Sequence, residues 1–156
     1  MIMGSTLVKA QWPVPCQDSL RLNPYYPCGP SFDPVCACDG KTYTNECESF
    51  NQAGLNTVVN SGVCQSELYY YDFWPNPVFN DMEFHMMVAN QQQLDAAIQI
   101  FDAFGNRVYF KLLNNLSDEY PYSETIRMSG LQTGMYVIMV NARGLYRPRK
   151  FIKVRN

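Results

Sequence analysis

The sequence predicts a small disulfide-rich α+β module joined to an all-β antiparallel sandwich, and three observations carry that prediction. All six cysteines fall between Cys16 and Cys64, with 11, 7, 1, 8 and 16 residues between successive members, and none lies in residues 65–156. Within the cysteine-bearing stretch, hairpin, strand and helix signals follow one another closely. Beyond it, apolar residues recur with period two between glycine turns, the pattern of half-buried strands.

The cysteine-bearing stretch is too short to rely on a hydrophobic core alone, and a dense, even set of cysteines there is a disulfide framework. Zinc is the competing use of clustered cysteines. Cys36 and Cys38 are one residue apart, however, closer than the usual two to four of a zinc pair, and the single histidine, His85, lies far outside the cluster. Disulfides imply export. Val8-Lys9-Ala10 fits a signal-peptidase site with Gln11 as the first mature residue, so residues 1–11 read as a signal remnant or an added leader. No stretch approaches the eighteen or so apolar residues of a membrane helix.

Local signals define the first module, residues 12–64. Asp39-Gly40 is a hairpin turn, and Lys41-Thr42-Tyr43 suits a short strand. Asn45 is a helix N-cap with Glu46 and Glu48 in the first turn, helix runs through Ala53, and Gly54 ends it. Six cysteines allow fifteen connectivities, and local signals leave them open.

Residues 65–73 read as a tyrosine-rich linker, and Trp74-Pro75-Asn76-Pro77 forces an extended entry to the second domain, 74–156. Ile98 and Ile100 lie on a strand, Gly105-Asn106 turns into Arg107 to Leu112, and Asn114 to Tyr122 reads as an extended loop. Ile126 and Met128 precede a turn at Gly130-Leu131. Met135 to Val140 is apolar on both faces and reads as a central strand, and Arg143-Gly144 turns into the last strand, Lys150 to Arg155. Six or seven short strands at this spacing suggest the sandwich.

The net charge of −2 is small, and the six basic residues among the last fourteen read as an edge strand blunted by charge. Nucleic-acid binding would require a larger basic excess and a recognisable motif. His85 has no partner in sequence that suggests a triad or metal site, so it reads as structural, and no enzyme activity, cofactor or metal is expected. The aromatic run Tyr69-Tyr70-Tyr71 with Phe73 and Trp74 reads as packing the linker onto the sandwich.

Residues 16–64 resemble the Kazal-type serine protease inhibitors. The matching pieces are Cys28-Gly-Pro-Ser-Phe-Asp-Pro-Val-Cys36, then Asp39-Gly-Lys-Thr-Tyr-Thr-Asn-Glu-Cys47, then Gly62-Val-Cys64. The chain departs from the family at Phe50, where a cysteine is usual, and at Cys38, where serine is usual. The resemblance implies Cys28–Cys47 and Cys36–Cys64, with Cys38 taking over the bond to Cys16. It also implies a rigid, extended protease-contact loop, Gly29, Pro30, Ser31 and Phe32, in which Pro30 enters the specificity pocket and Pro30–Ser31 is the scissile bond. Asn45 and Tyr43 are its supports. Proline does not reach a trypsin-like or chymotrypsin-like pocket, so the implied target is a serine protease with a small or proline-tolerant pocket, or one that engages a register shifted to Phe32. The alternative is a non-inhibitory structural or adhesion module.

Residues 72–156 resemble the C-terminal sorting domain of the type IX secretion system of Bacteroidota. The matching positions are Pro75-Asn76-Pro77, Asp102-Ala-Phe-Gly105-Asn-Arg-Val108, Ser129-Gly-Leu-Gln-Thr-Gly134-Met-Tyr136-Val137 and the lysine-bearing final strand with Lys153. This implies export through the periplasm and outer membrane, the secretion machinery as partner, and a secreted or cell-surface location. A monomer is expected.

Overall fold

The computed structural model describes residues 14–89 and 93–155. The Val8-Lys9-Ala10 motif and Gln11 lie outside the described residues.

In the cysteine-bearing half, β1 (Val35–Ala37), β2 (Thr42–Tyr43) and β3 (Val58–Ser61) form an antiparallel sheet in the order β2-β1-β3. The β1–β2 turn closes through Gly40 N–H to Ala37 O, while Asp39 Oδ1 accepts from Lys41 N–H. Three disulfides, Cys16–Cys38, Cys28–Cys47 and Cys36–Cys64, span 22, 19 and 28 residues.

The helix expected through Ala53 is a shorter, wider segment, with a helical turn at Glu46–Cys47 and a π-helix over Glu48–Gln52. Ala53 N–H bonds to Glu48 O and Leu55 N–H to Ser49 O, while the Ser49 hydroxyl takes Glu46 O. A serine bonding back onto the preceding carbonyls competes with the regular ladder, and one extra residue per turn absorbs the disturbance. Gly54 then turns back at φ +66°, so close to the N-terminal strap that a Cβ there would lie 2.7 Å from Asp18 O.

The second half holds two antiparallel sheets. Strands β4 (Tyr69–Trp74), β5 (Asp81–Val88) and β8 (Tyr122–Arg127) lie in the order β4-β5-β8. Strands β6 (Leu94–Asp102), β7 (Arg107–Leu116), β9 (Gly134–Ala142) and β10 (Leu145–Lys153) lie in the order β10-β9-β6-β7. Both contribute to one buried cluster that includes Tyr69, Phe84, Ile98, Ile100, Ile138 and Phe151. Side chains close both seams between the sheets. On one side Tyr69 and Tyr71 donate to carbonyls of Val140, Leu145 and Arg147; on the other Tyr109 and Lys111 meet Glu124 at 2.8 and 2.9 Å.

Three differences from the sequence reading stand out. Tyr69 to Phe73, read within the linker, belong with Trp74 to strand β4. The loop expected from Asn114 is shorter, because β7 continues to Leu116; Asp95 Oδ1 accepts from Asn115 N–H and holds that polar end in place. The last strand begins at Leu145, directly after a turn in which Arg143 and Gly144 both have positive φ, the hairpin geometry that lets two strands pair without a splay.

Candidate functional site

The segment Cys28 to Asp33 is tied down at both ends and in the middle. Cys28 is bonded to Cys47, Asp33 N–H reaches Thr44 O at 3.0 Å, and Asn45 Nδ2 donates to Ser31 O at 2.9 Å. Asn45 is buried, and its Oδ1 also accepts from Glu48 N–H at 3.0 Å, so one side chain caps the helical segment and holds the loop. Gly29, Pro30 and Ser31 are exposed, and Phe32 is half-buried. The loop is not extended throughout: Ser31 N–H bonds to Gly29 O at 2.9 Å, closing a three-residue turn on Pro30. Proline's fixed φ lies close to the value such a turn requires. The Tyr43 hydroxyl donates to Asp39 Oδ2 at 2.9 Å, so it braces the hairpin turn; burial first, then that carboxylate, push its pKa up to about 12.

The other wall of the loop comes from the second half. Along β4, Tyr69, Tyr71 and Phe73 face the core, which leaves Tyr70, Asp72 and Trp74 on the outer face, with His85 opposite Asp72 on β5. Phe32 stacks on His85 at 5.3 Å and on Tyr70 at 6.2 Å, and His85 stacks on Trp74 at 4.2 Å. Thr44 Oγ1 donates to Asp72 Oδ2 at 2.6 Å and shares a hydrogen bond with the Tyr70 hydroxyl at 3.0 Å. Asp72 also pairs with Arg149 of β10. Between loop and sheet lies a cleft of about 320 Å³, lined by Gly29, Pro30, Asp72, Trp74 and Arg149 among others. His85 Nδ1 meets Ser123 Oγ at 2.8 Å, and Nε2 is buried without a partner among the described residues. Burial, opposed by Glu83 and Asp72, holds its pKa below the ordinary 6.5. Tyr70, Asp72, Trp74 and His85 were absent from the sequence-derived site; the period-two alternation of β4 was the signal that separates them from the core.

The sorting-motif positions converge on one end of the second domain. Pro75, Asn76 and Pro77 are exposed, and Asn76 Oδ1 accepts from Ile152 N–H at 3.2 Å. Gly105 closes its turn onto Asp102 O; hydrogen bonds from Asn106, then Phe104 and Gly105, outweigh the modest burial of Asp102 and lower its pKa. One cleft joins the Asp102–Phe104 turn to residues 130–136, including Gly134 and Tyr136, and a second joins Gln132 and Thr133 to Lys153. Tyr136 and Lys153 are buried; the Tyr136 hydroxyl donates to Gln132 O, and Lys153 Nζ to Val154 O at 2.7 Å.

A stapled module with a braced loop, joined to a two-sheet antiparallel domain, defines the class: a small disulfide-rich module followed by a β-rich domain. Residues 72–154 match the secretion system C-terminal sorting domain, and the chain belongs to that family. Residues 23–70 match the Kazal-type serine protease inhibitor domain. The solved structures with a likeness to the chain include dimeric latent PorU from Porphyromonas gingivalis, at 22% identity and a TM-score of 0.44, covering 56% of this chain and 9% of that one. They also include the sulfur carrier protein SoxY from Chlorobium limicola f thiosulfatophilum, at 17% identity and a TM-score of 0.33, covering 57% and 79%. No curated protein matches the chain. The sorting domain marks the chain for secretion and surface attachment, and no helix among the described residues is long and apolar enough to cross a membrane.

Proposed function

We propose that the chain is a non-enzymatic, exported serine protease inhibitor: the Kazal-like module presents Gly29 to Phe32 to a protease, with Pro30 at the specificity pocket. The second domain, read as a sandwich of its two sheets, addresses the chain to the type IX machinery, with Pro75, Asn76, Pro77, Gly105, Gly134, Tyr136 and Lys153 as recognition positions. The observation that supports the inhibitory reading best is Asn45, whose amide holds the Ser31 carbonyl directly beyond the proposed scissile bond. Such a support supplies in advance the ordering that a flexible peptide would lose on binding.

The test is inhibition by the oxidised module, residues 12–66, across a serine protease panel, alongside Pro30→Lys and Pro30→Leu. The wild type inhibits at least one enzyme, and the variants gain trypsin-like and chymotrypsin-like targets. Silence from all three forms, with three disulfides verified by mass, rejects inhibition. The turn closed on Pro30 favours the second reading, a structural or adhesion module, which predicts that silence. For the address, deletion of residues 72–156 leaves the protein in the periplasm of a type IX secretor, and continued surface display rejects the sorting role.

A further inference from the structure

We infer that the outer face of β4 and β5 is a docking surface for the protease-contact loop of the same chain, so that the inhibitor is latent while joined to its sorting domain. The inference rests on the inhibitory reading of Gly29 to Phe32. In that reading Phe32 is the second residue beyond the scissile bond, a position that enters the enzyme's cleft. Its ring is instead stacked on His85 and Tyr70.

The dock is built from more than one ring. Thr44 is buried, its hydroxyl is bonded to Asp72 and Tyr70, and its carbonyl receives the Asp33 amide that ends the loop. Freeing Phe32 therefore exposes a set of mutually supporting contacts. Asp72 is itself fixed by Arg149, and His85 by Ser123 and Trp74, so the receiving face is preformed. A stable protease–inhibitor complex covers roughly 800 Å² on each partner, centred on the loop. Here the sheet stands along one flank of that loop: Asp72, Trp74 and Arg149 line one cleft together with Gly29 and Pro30, on ground that an enzyme gripping the loop would cover. The bond between Gly29 O and Ser31 N–H also occupies two backbone groups that an incoming strand would need. An enzyme thus meets only the undocked fraction, and its apparent affinity falls by that fraction.

The experiment uses the full chain carrying Pro30→Lys, so that trypsin reports on the loop, with and without His85→Ala; Thr44→Val, which removes the latch from the module side, is the second variant. Docking is read independently from nuclear Overhauser contacts between the Phe32 and His85 rings in the Pro30→Lys chain. His85→Ala removes a ring stack worth about 1.4 kcal/mol, so the inhibition constant falls on the order of tenfold; Thr44→Val removes the hydrogen bonds to Asp72 and Tyr70 instead, and the constant falls in the same direction. Equal, tight inhibition by all three chains overturns latency and leaves the inhibitory reading intact. No inhibition by any of them, although the ring contacts are lost in Thr44→Val, removes the inhibitory reading and the latency with it. Absence of the ring contacts in the Pro30→Lys chain overturns the dock directly.

Discussion

Asn45 performs two jobs with two ends of one amide, and substitutions can separate them. Its Oδ1 accepts from Glu48 N–H and its Nδ2 donates to Ser31 O. Asn45→Ala removes both. Loss of the cap costs about 1 kcal/mol, and loss of the hydrogen bond to the loop about another 1 kcal/mol, so urea denaturation shows a deficit of about 2 kcal/mol. Asn45→Asp keeps an acceptor at the start of the helical segment, where a carboxylate is favoured, but it cannot donate to a carbonyl. That variant is destabilised by only about 1 kcal/mol, yet its loop is untied. The second readout is the rate at which trypsin cuts after residue 30 in the Pro30→Lys background, measured for the parent and for Asn45→Asp. The parent is cut slowly and Asn45→Asp at least several-fold faster. Equal stability losses for Ala and Asp refute the division of labour, and an unchanged cutting rate refutes the loop-support role.

Two further outcomes follow from the same geometry. The chain-entropy contribution of a disulfide with a loop of 19 to 28 residues is about 3–4 kcal/mol in every case, so loop length does not rank the three. Burial does: Cys36 and Cys64 are buried, Cys16 is not, and denaturation finds Cys36→Ala/Cys64→Ala worse than Cys16→Ala/Cys38→Ala; the reverse order contradicts this reasoning. His85 supplies a pH dependence. Its folded pKa lies below 6.5, chiefly through burial and against the pull of Glu83 and Asp72, so as pH falls through 6.5 the unfolded chain binds the proton first. Stability present at neutral pH is lost between 6.5 and the lower folded pKa. The melting temperature therefore drops from pH 7 to pH 5 more in the wild type than in His85→Phe, and equal drops reject the assignment.

How much was legible in the sequence depended on whether an element's partners were local. Met135 to Val140 was readable as an inner strand because its apolar run includes the half-buried Val137 and Met139 as well as the buried Tyr136, Ile138 and Val140, and β9 does lie between β10 and β6. Asp39-Gly40 was readable as a turn because its hydrogen bonds close within four residues. Tyr69 to Phe73 was read as linker for the opposite reason. Its core face is aromatic, its other face carries Tyr70, Asp72 and Trp74, and Phe32 and Thr44 meet that second face from about 26 to 38 residues earlier in the chain. No local window contains that partner. Asn114 to Leu116 carries loop-like polarity, but a carboxylate from β6 compensates it. The length of the helical segment was misread because propensity favours Glu46 to Ala53 as an α-helix, whereas the Ser49 hydroxyl and the close strap at Gly54 widen it.

The short connection between the two halves explains how a few aromatic contacts can hold the dock. Only Gln65 to Leu68 separate Cys64 from β4, and the Glu67 N–H folds back onto Cys64 O. Four residues reach at most about 14 Å, so the module cannot leave the vicinity of the sheet. Its loop therefore meets the receiving face at an effective concentration in at least the millimolar range. Under that condition contacts worth a few kcal/mol keep the loop docked, although the same contacts between separate molecules would be weak. Lengthening the connection tests this without touching either surface. Inserting about sixteen Gly and Ser residues between the exposed Gln65 and Ser66 makes the tether fivefold longer, and effective concentration falls roughly as the −3/2 power of length, about tenfold. In the Pro30→Lys chain, trypsin inhibition strengthens by about the same factor, and the Phe32–His85 ring contacts weaken with it. If the long-tethered chain keeps both its ring contacts and its inhibition constant, proximity is not what holds the loop down, and the strength must reside in the Thr44–Asp72–Tyr70 hydrogen bonds alone.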